Sequence, residues 1–265
     1  MEDNGNLPGG IGTLLDDFYP VTLEELSANP LMDRYDEKYL LPVSTYVWLL
    51  PELIAHYRVL EVDGVRSYGY QSCYMDTPAL DMYLAHQNGK KDRYKVRFRR
   101  YVHSGKIYLE VKHKINKGKT FKKRLERTSL ENPLQEPSRD FITRLTPFDP
   151  DDLAIMLKVS FSRITMADPG AEERFTFDYR LSFDGNGRSL SLPEVGVLEV
   201  KHAGRKNNSV ITSLLEKYRI FPSGFSKYCT GMVLLYPGIK YNRFKPLLRT
   251  LNKMHHDTLH PAVAS

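Results

Sequence analysis

The chain reads as an α+β domain built on a large antiparallel sheet or a closed barrel, on three observations. Many short segments alternate polar and apolar residues at period two, and few helical stretches separate them. Charge also falls on single strand faces. Over residues 90–127 sixteen Lys and Arg stand against three acidic residues, Asp92, Glu110 and Glu126, although the whole chain is only +6. A face that repels itself so strongly calls for a polyanion.

Composition bounds the class. With 41% hydrophobic and 26% charged residues, a chain of 265 is long enough for one sizeable core. No basic region leads into an apolar stretch at the start, and no apolar run is long enough to cross a bilayer, so a cytoplasmic location is expected. Cys73 and Cys229 lie far apart and read as reduced thiols without metal-binding spacing.

Residues 1–30, punctuated by Gly, Pro and Asn, are expected as an arm, with a short helix over 22–27. Residues 34–41 alternate as a strand. Ser44 then caps a helix running to about 57, with Pro51 marking a kink. Residues 67–75 alternate aromatic and small polar side chains, and 77–88 carry apolar residues at helical spacing. Residues 94–103 and 107–114 form a hairpin through Ser104 and Gly105, and Gly118 turns the chain into a strand at 120–125.

Residues 139–145 and 150–157 read as helical, followed by strands at 158–166, 174–183 and 196–202. Asp184, Gly185, Asn186 and Gly187 mark a turn between the last two. Helices over 208–218, 225–235 and 243–254 complete the chain. The boundaries are then an arm over 1–30, one domain over 31–240, and a C-terminal helix and tail over 241–265.

The direction of the charged faces decides the function. Arg34, Asp36 and Lys38 share a face, as do Lys95, Arg97 and Arg99, then Glu110, Lys112 and Lys114, then Lys122 and Arg124. Arg163 sits between Phe161 and Thr165, Arg174 alternates with Thr176, Asp178 and Arg180, and Glu199 with Lys201. Each face alone suits an exposed sheet. Together they also suit a lumen lined by Arg, Lys and Glu, and eight strands leave room inside for a small ligand.

The segments RYDEKYLL (34–41), KVRFRRY (95–101), YLEVKHK (108–114), KTFKKRLE (119–126), SFSR (160–163), RFTFDYRL (174–181), GVLEVKH (196–202) and FSKY (225–228) together resemble the ordered motifs of the vacuolar transporter chaperone (VTC) domain. That family comprises polyphosphate polymerases of the CYTH-like triphosphate tunnel metalloenzymes. The resemblance therefore implies an eight-stranded antiparallel β-barrel with a charged lumen and flanking helices. It implies a metal-dependent phosphotransferase that passes the γ-phosphate of ATP to a growing polyphosphate chain.

Residue by residue, the resemblance makes Lys38, Arg97, Arg99, Lys112, Lys122, Arg163 and Lys227 ligands of phosphate oxygens, with Ser226 adding a hydroxyl donor. Lys114, Arg124, Arg174 and Lys201 are further tunnel residues, and Glu199 is the carboxylate for Mn²⁺ or Mg²⁺. Guanidinium forks match phosphate, ammonium groups add point charge, and a hard oxygen ligand suits such a metal. The chain departs from the pattern at three places. Arg34, Asp36 and Lys38 replace a Glu-x-Glu-x-Lys strand, Lys114 stands where relatives can have His, and Gly224 lacks the charge that can precede Ser226 by two residues.

The implied partners are ATP and polyphosphate or triphosphate. A triphosphatase with water as acceptor, and a non-catalytic polyphosphate-binding module, are the alternatives. A pI near 9.1 and Tyr94, Phe98, Tyr101 and Tyr108 would permit nucleic-acid binding. Glutamates interleaved at Glu110 and Glu199, and the lack of a nucleic-acid motif, argue against it.

Tyr35, Tyr39, Trp48 and Tyr57 read as packing aromatics. His113 and His202 are out of phase with Lys112 and Lys201 and should face away from the lumen. His255, His256 and His260 read as a solvated tail, and Cys229 as a buried thiol without a His and acid partner.

Overall fold

The computed structural model describes residues 10–28, 34–116, 119–170, 173–203 and 209–255. The elements run α1 (Ile11–Asp16), β1 (Pro20–Val21), α2 (Leu23–Ala28), β2 (Arg34–Pro42), α3 (Val43–Leu53), β3 (Arg58–Leu60), β4 (Tyr68–Asp76) and α4 (Asp81–Gln87). Then follow β5 (Arg93–Tyr101), β6 (Ile107–Lys114), β7 (Thr120–Arg127), α5 (Ser138–Leu145), β8 (Ala154–Ala167), β9 (Glu173–Gly185) and β10 (Arg188–Leu192). The last four are β11 (Val195–Ala203), α6 (Val210–Lys217), α7 (Lys227–Leu235) and α8 (Lys245–Asn252).

Eight strands hydrogen-bond in the order β2-β11-β9-β8-β4-β5-β6-β7, each neighbouring pair antiparallel. The α+β class is that expected, and the eight-strand path lies within an eleven-stranded sheet in which β10 pairs with β9, and β3 with β8 and β1. Closure is not as expected: among the described residues β7 does not pair with β2, and the barrel-like sheet is open along that seam. Register shifts at Tyr74/Met75 and at Ser160/Ser162 mark bulges, which bend strands and help curl the sheet.

The two faces have different cores. Outside, Tyr39, Leu41, Ile164, Phe175, Phe177 and Leu198 pack under α1, α3 and α6, and Val96, Phe98, Leu109 and Val111 pack with Ile142 of α5. Inside, one end of the concave face is apolar: Leu40, Leu157, Val159, Phe161, Leu181, Phe183 and Val197 cluster with Tyr228, Met232 and Val233 of α7. A Cβ at Gly231 would come within 2.5 Å of Leu157 and 2.7 Å of Phe183, so glycine lets α7 seat against the sheet. The other end of the concave face keeps the charges.

Several expectations are corrected. Ile11, Leu15 and Phe18 are fully buried in the outer core, so residues 10–28 pack on the sheet instead of extending as an arm. The helix expected over 150–157 is a single turn, Pro150–Asp152, and the chain is β8 from Ala154 because pairing with β4 claims that short apolar run. Arg180 leaves the face of Arg174, Thr176 and Asp178: it adopts φ 51° at the β8–β9 bulge, and Leu181 and Phe183 point inward after it. Tyr39 and Tyr57 are buried as expected, whereas Tyr35 and Trp48 are each 55% exposed.

Candidate functional site

Strand pairing brings the predicted residues onto one concave face in rows that follow the registers. Lys38 of β2 opposes Glu199 of β11, and Glu199 opposes Thr176 of β9. Arg163 opposes Asp178, Arg99 opposes Ser72 and Tyr108, and Arg97 opposes Tyr74 and Glu110. Glu110 in turn opposes Arg124, and Lys112 opposes Lys122.

Three carboxylates organise six of the cations. Glu110, 2% exposed, accepts Arg97 Nη2 at 2.6 Å and Nε at 2.8 Å, and pairs with Lys122 through its other oxygen. Asp178, also 2% exposed, takes Arg163 as a fork at 2.5 and 2.8 Å and pairs with Lys227, the first residue of α7. Glu199 is more open, at 17%, and its partners are farther: Lys38 at 3.5 Å and Lys201 at 4.0 Å. Burial opposes the charge on all three, and the facing cations outweigh it, holding each carboxyl below its usual range.

That difference makes Glu199 the carboxylate of the three that could hold a metal. Glu110 and Asp178 are consumed by short, charge-assisted bonds within the wall, whereas Glu199 is ionised, partly open and loosely paired, as a hard oxygen ligand for Mn²⁺ or Mg²⁺ must be. No cluster of three or more His, Cys, Asp or Glu occurs among the described residues, so such a metal needs phosphate and water for its remaining ligands. Asp36 opposes Lys201 on β11 and supplies the second carboxylate-bearing position of this corner.

The remaining predicted residues occupy distinct places. Arg99, 7% exposed, reaches Ser72 Oγ at 3.4 Å and lies over the Tyr70 and Phe161 rings at 5.3 and 5.8 Å. Burial, then Arg97 and Arg163, push it down to about 10. Desolvation, reinforced by Lys38 and Lys95, brings Lys112 down to about 8. Arg124 lies over the Tyr108 ring at 4.8 Å, and Lys114 opposes Arg93 near the rim. Arg174 Nη2 donates to the Leu26 carbonyl at 2.7 Å, which ties that guanidinium to the end of α2. Ser226 is the N-cap of α7, its Oγ accepting the Cys229 N–H at 3.3 Å.

Sequence reasoning left four participants unassigned: Tyr74, Lys95, Glu110 and Asp178. Tyr74 OH accepts from Arg97 Nη1 at 3.0 Å; burial would raise its pKa, but Arg97, Arg99, Lys95 and Lys227 bring it down to about 8. Period-two phase was the available signal, since Tyr74 follows Tyr70 and Ser72, and Asp178 follows Arg174 and Thr176. What alternation does not give is the partner on the next strand.

Other groups are structural. His113 stacks on Tyr94 at 4.0 Å and meets Asp92 at 2.8 Å, and buried His202 pairs with Glu173 at 2.7 Å. Cys73 and Cys229 are free and buried. Cys229 does have a histidine near, His86 Nδ1 at 3.2 Å from Sγ, but burial pushes its thiol up. His255 meets Glu194 at 2.9 Å, while His256 and His260 lie outside the described residues. No helix among the described residues is long and apolar enough to cross a membrane.

No curated protein matches the chain. Solved structures resemble it at low identity. A Hippeastrum protein proposed to be an adenylyl cyclase and described as having dominant triphosphatase activity is 15% identical at TM-score 0.49, over 76% of this chain and 95% of that one. A Vibrio parahaemolyticus protein proposed to be an adenylate cyclase is 11% identical at 0.42, over 73% and 94%. The PH1012 protein of Pyrococcus horikoshii is 11% identical at 0.39, over 70% and 88%. The family profile of the VTC domain matches residues 33–236, most of the chain and every strand of the charged face, and the protein belongs to the VTC domain family.

Proposed function

We propose that the protein is a metal-dependent polyphosphate polymerase that transfers the γ-phosphate of ATP to a growing polyphosphate chain. The observation that carries this reading is the meeting of cations from six strands and the start of α7 on one concave face, around carboxylates too few to neutralise them. Two polyanions repel each other, and bringing them together is the main task of such a site.

Arg97 and Arg163, fixed by Glu110 and Asp178, present the rest of their guanidinium donors to phosphate oxygens. Lys38, Lys112, Lys122 and Lys227 add charge that adapts to the shifting oxygens. A terminal oxygen of the chain attacks Pγ in line; the new P–O bond forms as the bond from Pγ to the bridging oxygen breaks, and ADP leaves. No protein nucleophile is required. Glu199 would hold a divalent metal, which would add further neutralisation of the phosphoryl charge.

One observation favours a second reading, hydrolysis of a short triphosphate with water as acceptor. Because α7 fills one end of the concave face, a long polymer cannot thread straight through past that end, whereas a triphosphate need not thread at all. Incubation with ATP and Mn²⁺, with products resolved by size, separates the two. A ladder supports polymerisation, orthophosphate alone supports hydrolysis, and unchanged ATP with retained polyphosphate binding supports a binding module.

A further inference from the structure

Lys95 has no role in the reading above, yet its surroundings are those of an anion site. It opposes Lys112 in the β5–β6 register, and Lys112 opposes Lys122 in the β6–β7 register, so three lysines form one row on the concave face. Directly opposed residues place their Cβ atoms about 4.5–5.5 Å apart, and like charges so placed repel. The next row inward, Arg97–Glu110–Arg124, alternates in sign, and Arg163 faces Asp178. Those rows carry their own counter-charge.

The lysine row does not. Lys122 is relieved by Glu110, but among the described residues neither Lys95 nor Lys112 has an ion-pair partner. At the rim Arg93 also opposes Lys114, but Arg93 Nη1 turns to the Lys90 carbonyl at 2.7 Å. Lys95 Nζ instead reaches inward and donates to Ser226 Oγ, the N-cap oxygen of α7, at 2.9 Å. The ammonium is thus aimed at the start of α7 with its other two N–H donors available.

We infer that Lys95 is a phosphate-binding residue and that the row Lys95–Lys112–Lys122, against Ser226, is the subsite for the terminal phosphate of a linear oligophosphate. The assignment rests on the reading of the concave face as a polyphosphate site. A terminal phosphate carries roughly one more negative charge at neutral pH than a phosphate inside a chain, its second ionisation lying near 6. It therefore belongs where counter-charge is most lacking.

The test compares linear tripolyphosphate with cyclic trimetaphosphate, which has no terminal group, by calorimetry on the full chain. Lys95→Met should weaken tripolyphosphate binding about 10- to 100-fold, the cost of one charge-assisted bond, and leave trimetaphosphate within about threefold. Lys95→Arg should restore most of the loss. Lys123→Met, the same charge change on the outer face of β7, should be silent. Equal weakening for both probes, or none beyond that of Lys123→Met, overturns the assignment.

If the wild-type chain binds neither probe, the reading of the concave face fails, and the assignment with it. A measurement without variants guards against misfolding: in the wild-type protein, tripolyphosphate should shield Lys95 from acetylation, read by peptide mass spectrometry. Full acetylation of Lys95 under saturating tripolyphosphate overturns the proposal.

Discussion

Arg163 and Asp178 stand directly opposite on β8 and β9 and are joined by two hydrogen bonds of 2.5 and 2.8 Å, with Lys227 of α7 on the same carboxylate. This relationship fastens α7 to the charged end of the concave face. Removing the carboxylate leaves two enclosed cations without a partner. Asp178→Ala should destabilise the fold by roughly 3–5 kcal/mol in chemical denaturation. A loss below about 1 kcal/mol would show that Asp178 does not anchor them.

Glu110 gives a pH signature. Burial would raise its pKa, but Arg97, Arg99 and Lys122 outweigh it and hold the carboxyl down to about 2. A carboxyl lowered in the folded state contributes stability that is complete above its unfolded value of about 4.3 and is lost as pH falls toward 2. The stability gap between wild type and Glu110→Gln should therefore be constant from pH 6 to 8 and shrink between about 5 and 2. A gap independent of pH would contradict the pairing.

Lys112 should show a trade between stability and function. Its ammonium is held near 8, below the unfolded value of about 10.4, so its charge strains the folded protein below pH 8 and this strain is relieved as pH rises between those values. Lys112→Met should raise the melting temperature of the ligand-free protein at pH 7 while weakening tripolyphosphate binding about tenfold or more. Wild-type affinity should also decline as pH passes about 8. A variant that loses both stability and affinity would point to a packing role.

Glu199 and Arg97 separate chemistry from folding. Glu199→Gln should cost less stability than Asp178→Ala, since its ion pairs are 3.5 and 4.0 Å long, yet reduce turnover about 10²-fold or more and flatten the response to Mn²⁺. Arg97→Ala should lose turnover on the same scale without altering the metal response. Wild-type rates in both variants, at equal folded fraction, would defeat the site.

Gly224 offers a gain-of-charge test. A Cβ there would meet no atom within 4 Å, so packing does not enforce the departure from relatives with a basic residue. Gly224→Arg should tighten tripolyphosphate binding several-fold at low salt, and the gain should fade as ionic strength rises. No change at low salt would place this position away from the bound anion.

Much of this was legible in the sequence because strand periodicity alone places Lys95, Arg97 and Arg99, or Lys112 and Lys114, on common faces. The partnerships were not, because they depend on register between segments far apart in the chain: nothing in RFTFDYRL says that Asp178 meets both Arg163 and Lys227. The bulge at Ser160/Ser162 broke the simple alternation that had placed Arg180 inside. Residues 10–28 misled for a different reason. Their Gly and Pro suggested an arm, while Ile11, Leu15 and Phe18 are spaced to bury one helical face and the turn after it.

A crystal structure of the protein soaked with tripolyphosphate would locate the bound anion. Phosphorus density is expected along the concave face, with oxygens within hydrogen-bonding distance of Arg97, Lys112 and Arg163 and α7 in place at the far end. Tripolyphosphate ordered on the outer surface, around Lys123 or Arg144, with the concave face unchanged, would contradict a phosphate site there.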